Sequence, residues 1–218
     1  FYLSCNQFHH ISQINTAEVL RCMGCPPEKA DGVLTAQVEA CARELLAAAR
    51  PRWSWRAAEI ALEADGVRLA GGLLLPGGDL KAHLAGCERA VLFCATLGAE
   101  ADALIRRTER LDMAKALILD CCASAAVEEV CDRIEAELQE KFPGCAFPFR
   151  YSPGYGDLPV TVQGAFLALL DAPRRLGLCA TGSSILTPRK SVTAVIGVRE
   201  AGAGTPEDRA LRLVLSAL

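Results

Sequence analysis

The chain has 218 residues, 51% of them hydrophobic and 22% charged, a balance found in globular rather than disordered chains. Its formal net charge of -3, with no basic run or interleaved aromatic pattern, excludes an extensive nucleic-acid footprint. No apolar run is long enough to span a bilayer, and the opening Phe1-Tyr2-Leu3-Ser4-Cys5 carries no basic flank or small-residue cleavage signal. The expectation is a cytoplasmic protein without membrane contact.

In chain order, residues 1–14 show no useful periodicity and are set apart as an N-terminal extension of one domain over 15–218. Asn15 followed by Glu18 predicts a capped helix ending near Gly24, where Pro26-Pro27 restarts the chain. Leu34, Val38, Cys41, Leu45 and Ala48 recur at helical spacing from Asp31 until Pro51 stops the pattern. Trp53 to Glu63 fits helix and strand alike. Val67, Leu69, Gly71, Leu73 and Leu75 share one parity and predict a single strand before Pro76-Gly77-Gly78.

Asp79 is placed to cap a short helix over Leu80–Leu84, and Arg89–Cys94 predicts another strand. Thr96-Leu97-Gly98 makes a tight junction into a helix over Ala99–Arg110. Its first amides suit an anion, although fold punctuation is the more economical reading. The longest predicted helix, Met113 to Leu138, has the apolar stripe Met113, Leu117, Ala123, Val127, Val130, Ile134 and Leu138. Its carboxylates Glu128, Glu129, Asp132, Glu135 and Glu137 are read as a solvated face, any one of which can turn toward a ligand.

A helix over Val160–Leu170 with Pro173 beyond it, a polar turn over Ser184–Lys190 and a strand through Val192, Ala194, Ile196 and Val198 follow; Thr205–Leu218 is undecided. Segregated helices with a mixed or antiparallel sheet predict an α+β fold. Eleven cysteines, most among apolar neighbours, are the small hydrophobes of a reducing compartment rather than a disulfide framework. Cys22 and Cys25 form a lone Cys-x-x-Cys without two further ligands, so no metal site is expected.

The stretch Pro148 to Pro159 departs from this ordinary pattern. It holds a cation, two phenols, a carboxylate, two glycines and three prolines in twelve residues. Proline fixes φ and glycine opens values other residues avoid, so the segment is a stiff, sharply turned loop. Such a loop can hold a charged ligand without ordering many soft bonds, or it can be a connection with a solvated arginine and a packed tyrosine.

Arg150-Tyr151-Ser152-Pro153-Gly154-Tyr155-Gly156-Asp157-Leu158-Pro159 resembles the Arg-x-x-x-Gly-Tyr-x-x-x-Pro signature of the activation domain of vitamin B12-dependent methionine synthase. The closer likeness is to short, free-standing relatives of that domain. Leu73–Gly78, Thr96-Leu97-Gly98, the small-residue helix around Ser124 and Thr187–Val192 extend the resemblance over most of 15–198. It implies a methionine synthase activation domain-like fold and S-adenosylmethionine as ligand. It further implies a part in the reductive methylation that returns cobalamin, held by a methionine synthase or other corrinoid partner, to its active form with a flavodoxin-type reductant.

By the same resemblance, Arg150 meets the ligand's carboxylate, Gly154 allows close backbone approach, and Tyr155 packs or hydrogen-bonds beside the ligand. Tyr151 is an alternative aromatic wall. Asp157 is the nearest acidic candidate for the sulfonium, and Ser124 stands where the longer domain contributes a ligand-facing glutamate. No side chain is expected to act as acid, base or nucleophile. Gly156-Asp157-Leu158-Pro159 replaces the Pro-Ala-Cys-Pro of the longer domain, and the cobalamin-binding Asp-x-His-x-x-Gly segment is missing from this sequence. An accessory subunit, a small-molecule sensor or carrier, and a partner-binding protein retaining the fold are the readings left open.

Overall fold

The computed structural model describes residues 2–7, 11 and 13–200. Its frame is an open antiparallel sheet. β2 (Arg52–Leu62) and β5 (Arg89–Thr96) pair along almost their whole lengths, and β9 (Ser191–Glu200) pairs with the other edge of β5. The far edge of β2 is divided: β1 (Tyr2–Gln7) meets its first half and β3 (Gly66–Leu69) its last residues. β4 (Leu74–Pro76) extends the sheet beyond β3, and β6 (Cys145–Ala146) touches only the C-terminal end of β9.

Residues 66–76 thus form a hairpin through Ala70-Gly71-Gly72 rather than one strand, because the two glycines at positive φ reverse the chain between leucines of one parity. The ambiguous segment after Pro51 is a long strand. Its tryptophans face one side, and β-branched or aromatic bulk suits a pleated surface better than a helix of that composition. Tyr2–Gln7, in a stretch with no legible period, pair with β2 as well.

Both faces of β5 are buried, which is why it reads as an unbroken apolar run. Val91, Phe93 and Ala95 face a layer of α1 (Thr16–Cys22), α2 (Gly32–Ala48), α4 (Ala99–Glu109) and α5 (Met113–Lys141). Ala90, Leu92 and Cys94 face α3 (Gly78–His83), α6 (Gln163–Leu169) and α7 (Ala172–Leu176). The polar ends of these helices follow from their caps. Asn15 accepts from Ala17 and Glu18 amides, Asp31 from Leu34 N and Asp112 from Lys115 N.

Three expectations change at the helices. Met113 and Leu117, placed on the apolar stripe of α5, are exposed. Pro173, expected beyond a single helix, lies in the first turn of α7, where its missing N–H has no intrahelical acceptor to lose. Asp79 lies inside α3, whose N-cap is Gly77. No helix among the described residues is long and apolar enough to cross a membrane. Thr205–Leu218 falls outside the described residues.

Candidate functional site

The loop from Phe147 to Pro159 starts as a continuation of the sheet. Beyond β6, Tyr151 and Val195 exchange two backbone hydrogen bonds, N–H to carbonyl, at 2.9 and 2.8 Å. On so extended a backbone, consecutive side chains point to opposite faces. Arg150 turns to the α5 side, and Tyr151 turns into the second core beside Leu158 and Val195.

On the α5 side, Arg150 meets three carboxylates. Its Nη2 donates to Glu128 Oε2 at 2.6 Å, its Nη1 to Asp132 Oδ1 at 2.9 Å, and Nη1 also to Glu135. The spacing 128, 132, 135 sets these acids on one stripe of the helix, so the fork of the guanidinium spans them. Burial works against the charged guanidinium, but hydrogen bonds from Asp132, Glu135 and Glu128 outweigh it and hold the proton more firmly than usual. Glu128 and Asp132 stay more than half exposed, as a solvated face requires, and Arg150 makes part of that face an ion-pair cluster with two more negative charges than positive. Glu137, further along, accepts from Trp53 Nε1 at 3.2 Å and Trp55 Nε1 at 3.0 Å.

The remaining candidates divide between the two sides of the loop. Tyr151 is buried, and its hydroxyl donates to Tyr155 O at 3.2 Å. Burial raises its phenol pKa, with Asp79 and Asp157 adding to the effect. Tyr155 is 67% exposed, its ring 6.5 Å from that of Tyr151. Gly154, at φ +100, donates its N–H to Leu158 O, closing the turn. His83 lies between the Phe149 and Tyr151 rings, 4.3 and 5.3 Å away, and its Nε2 is 2.8 Å from Phe149 O.

Asp157 faces away from this cluster. Its carboxylate accepts from Gly78 N at 2.6 Å and Asp79 N at 3.2 Å, so it caps α3. Gly156 sits in the same corner at φ +49, where a Cβ would collide with the Tyr151 hydroxyl and the Asp79 carboxylate. Asp157, expected beside a sulfonium, here joins Gly156 in pinning the loop to the start of α3.

Ser124 is apart from the loop. Its Oγ donates to Asp120 O and accepts from Lys190 Nζ at 3.0 Å, while Lys190 also pairs with Asp120 Oδ1 at 2.9 Å. Lys190 carries no mark of this role in the sequence beyond its place in the Thr187–Val192 segment. Its backbone N–H and that of Arg189 donate to the buried carboxylate of Asp102, at 3.4 and 2.6 Å. Cys22 ends α1 exposed, and Cys25 approaches Pro26 O through Sγ at 3.7 Å.

Two clefts result. The first, about 660 Å³, follows the edge of β9 that β6 leaves unpaired; it is lined by Arg150, Tyr151, Tyr155, Glu128, Glu135 and Gln163, among others. The second, about 610 Å³, opens between α1 and α5 and includes Ser124, Glu18, Cys22 and Asp132. Arg150 and Glu128 wall both. Of the sequence candidates, the structure brings Arg150, Tyr151 and Tyr155 to the first cleft, Ser124 to the second, and Gly154 and Asp157 to neither.

No protein-family model and no curated protein sequence matches the chain. Among solved structures, the crystal structure of the MetH reactivation domain bound to AdoHcy is similar. The two superpose with a TM-score of 0.65 at 15% identity, over 90% of this chain and 78% of that one. At that identity the likeness is one of fold, with helices packed on both sides of an open antiparallel sheet.

Proposed function

We propose that the chain is an S-adenosylmethionine-binding subunit that supports reductive methylation and reactivation of cobalamin in methionine synthase or a related corrinoid methyltransferase. The observation carrying this reading is that Arg150, Tyr151 and Tyr155 of the Arg-x-x-x-Gly-Tyr loop line one cleft with Glu128 and Glu135. The likeness to the MetH reactivation domain fold supports it.

The residues suit the ligand. A cleft of about 660 Å³ is within the usual range for small-molecule sites. The methionine end of the ligand carries an ammonium and a carboxylate beside a sulfonium, and the cleft offers two carboxylates and a guanidinium. Arg150 holds the ligand's carboxylate by exchanging one of its three internal partners for it, while Glu128 and Glu135 face the positive groups. Tyr155, largely exposed, closes over the ligand through its ring face.

S-adenosylmethionine, when bound, supplies a methyl group on positively charged sulfur. The chain's own residues bind it, orient it and exclude water, and none has to move a proton. The corrinoid is held by the partner, and electrons come from a flavodoxin-type donor.

Calorimetric titration with S-adenosylmethionine tests the binding step. Wild-type protein is expected to bind and Arg150→Ala to bind far more weakly; equal affinities would remove the arginine clamp. Methylcobalamin formation from cob(II)alamin, followed optically with partner and reductant, tests the rest. Binding without that conversion assigns the chain to a sensor or carrier instead.

A further inference from the structure

Gln163 is 6% exposed and stands at the start of α6, facing the first cleft. Its Oε1 accepts from Thr193 Oγ1 at 2.8 Å in a buried bond. That bond fixes the amide and leaves the two Nε2 protons toward the cleft, with no acceptor among the described residues. Nε2 stays open to the cleft, since the enclosed side-chain atom without a partner among the described residues is Arg52 Nε, so a ligand acceptor can take the place of water there.

The backbone beside it is open as well. Val195 exchanges both of its bonds with Tyr151, and residues two apart on a strand turn their N–H and C=O to the same side. Thr193 therefore presents its amide and carbonyl to the cleft edge. Among the described residues no strand pairs with it there: β6 reaches only Arg199 and Glu200, and the bridge at Val195 is isolated. The outward-turned residues of this edge along the cleft, Ser191 and Thr193, make a run too short for a peptide strand. It matches the edge of a planar nitrogen heterocycle, which sets a ring acceptor next to an amino donor.

We propose that Gln163, held by Thr193, is the residue that selects the ligand's heterocycle: its Nε2 donates to a ring nitrogen while the Thr193 backbone meets the neighbouring amino group. This inference rests on the adenosyl-ligand reading above. It divides the cleft into a charged end at Arg150, Glu128 and Glu135 and a base-reading end at Gln163.

The test is calorimetric titration of S-adenosylhomocysteine and its inosyl analogue, in which a carbonyl replaces the 6-amino group and N1 carries hydrogen. Wild-type protein is expected to prefer the adenosyl compound by about tenfold or more, the scale of one or two hydrogen bonds. Gln163→Met, similar in length, is expected to weaken adenosyl binding about tenfold and to narrow the preference to what the Thr193 backbone contributes. Thr193→Val removes the anchoring hydroxyl at nearly constant shape and is expected to fall between. Wild-type binding with an unchanged adenosyl-to-inosyl ratio in Gln163→Met overturns the inference and leaves the ligand reading standing. If that variant does not fold, an unchanged ratio in Thr193→Val overturns it. Wild-type protein that binds neither compound overturns both.

Discussion

Arg150 Nη2 lies 2.6 Å from Glu128 Oε2, joining the loop after β6 to the middle of α5. Asp132 and Glu135 close on the same guanidinium. Removing Arg150 therefore leaves three carboxylates without their shared cation. Asp132 and Glu128 are more than half exposed, so water and salt relieve part of the repulsion. Arg150→Met is expected to lower stability by about 1–2 kcal/mol in urea unfolding, with less loss at high salt. Arg150→Lys, which keeps the charge but not the fork, should fall between.

Asp157 and Gly156 hold the other end of that loop. Asp157→Ala removes the carboxylate on the first amides of α3 and should cost about 1 kcal/mol by thermal unfolding. Gly156→Ala adds a Cβ where backbone and space both refuse it, and should cost about 2 kcal/mol. The matching change in α6, Gly164→Ala, meets nothing within 4 Å and is expected to leave stability level or raise it by about 0.5 kcal/mol.

The chain has two tryptophans, and Glu137 accepts from both indoles. Glu137→Leu takes away that common acceptor and should cost about 1–3 kcal/mol, whereas Glu137→Gln retains an oxygen and should cost less. Tryptophan emission provides a second readout, because both fluorophores are buried and lose the same charged neighbour.

Burial pushes the Cys122 and Cys131 thiols up to about 12 from an ordinary value of 9.0. A native thiol that holds its proton more tightly than the unfolded one stabilises the fold fully below about pH 9. That contribution is lost as pH rises through about 12. Unfolding free energy measured between those limits should fall with pH. At neutral pH, a thiol-specific reagent should label exposed Cys22 and Cys179 well before Cys122 or Cys131.

Much of this architecture is legible in the residues. Asn15 marks a helix start because a short polar side chain there can satisfy free amides, and Asp31 opens the run that becomes α2; the matching cap at Asp112 emerges only from the structure. β5 and β9 announce themselves as apolar runs. The 66–76 hairpin is less legible, since parity cannot tell one strand from two joined by the three-residue turn Ala70-Gly71-Gly72. At the site, Arg150 and the two tyrosines are marked by loop chemistry. Their carboxylate partners are present as a 128, 132, 135 stripe but carry no sign of being paired, because the arginine that pairs them lies 15 to 22 residues away. Gln163 is concealed more deeply: a glutamine in a helix's first turn is ordinary until its neighbour across the sheet edge is known.

The wall made by Glu128 and Arg150 belongs to two cavities at once. A cation entering on the α1 side competes for the same carboxylate that a guest on the β9 side would use, and an anion there draws on the same guanidinium. The partition is consequently a shared charge reservoir, and filling either chamber alters the electric field felt in its neighbour.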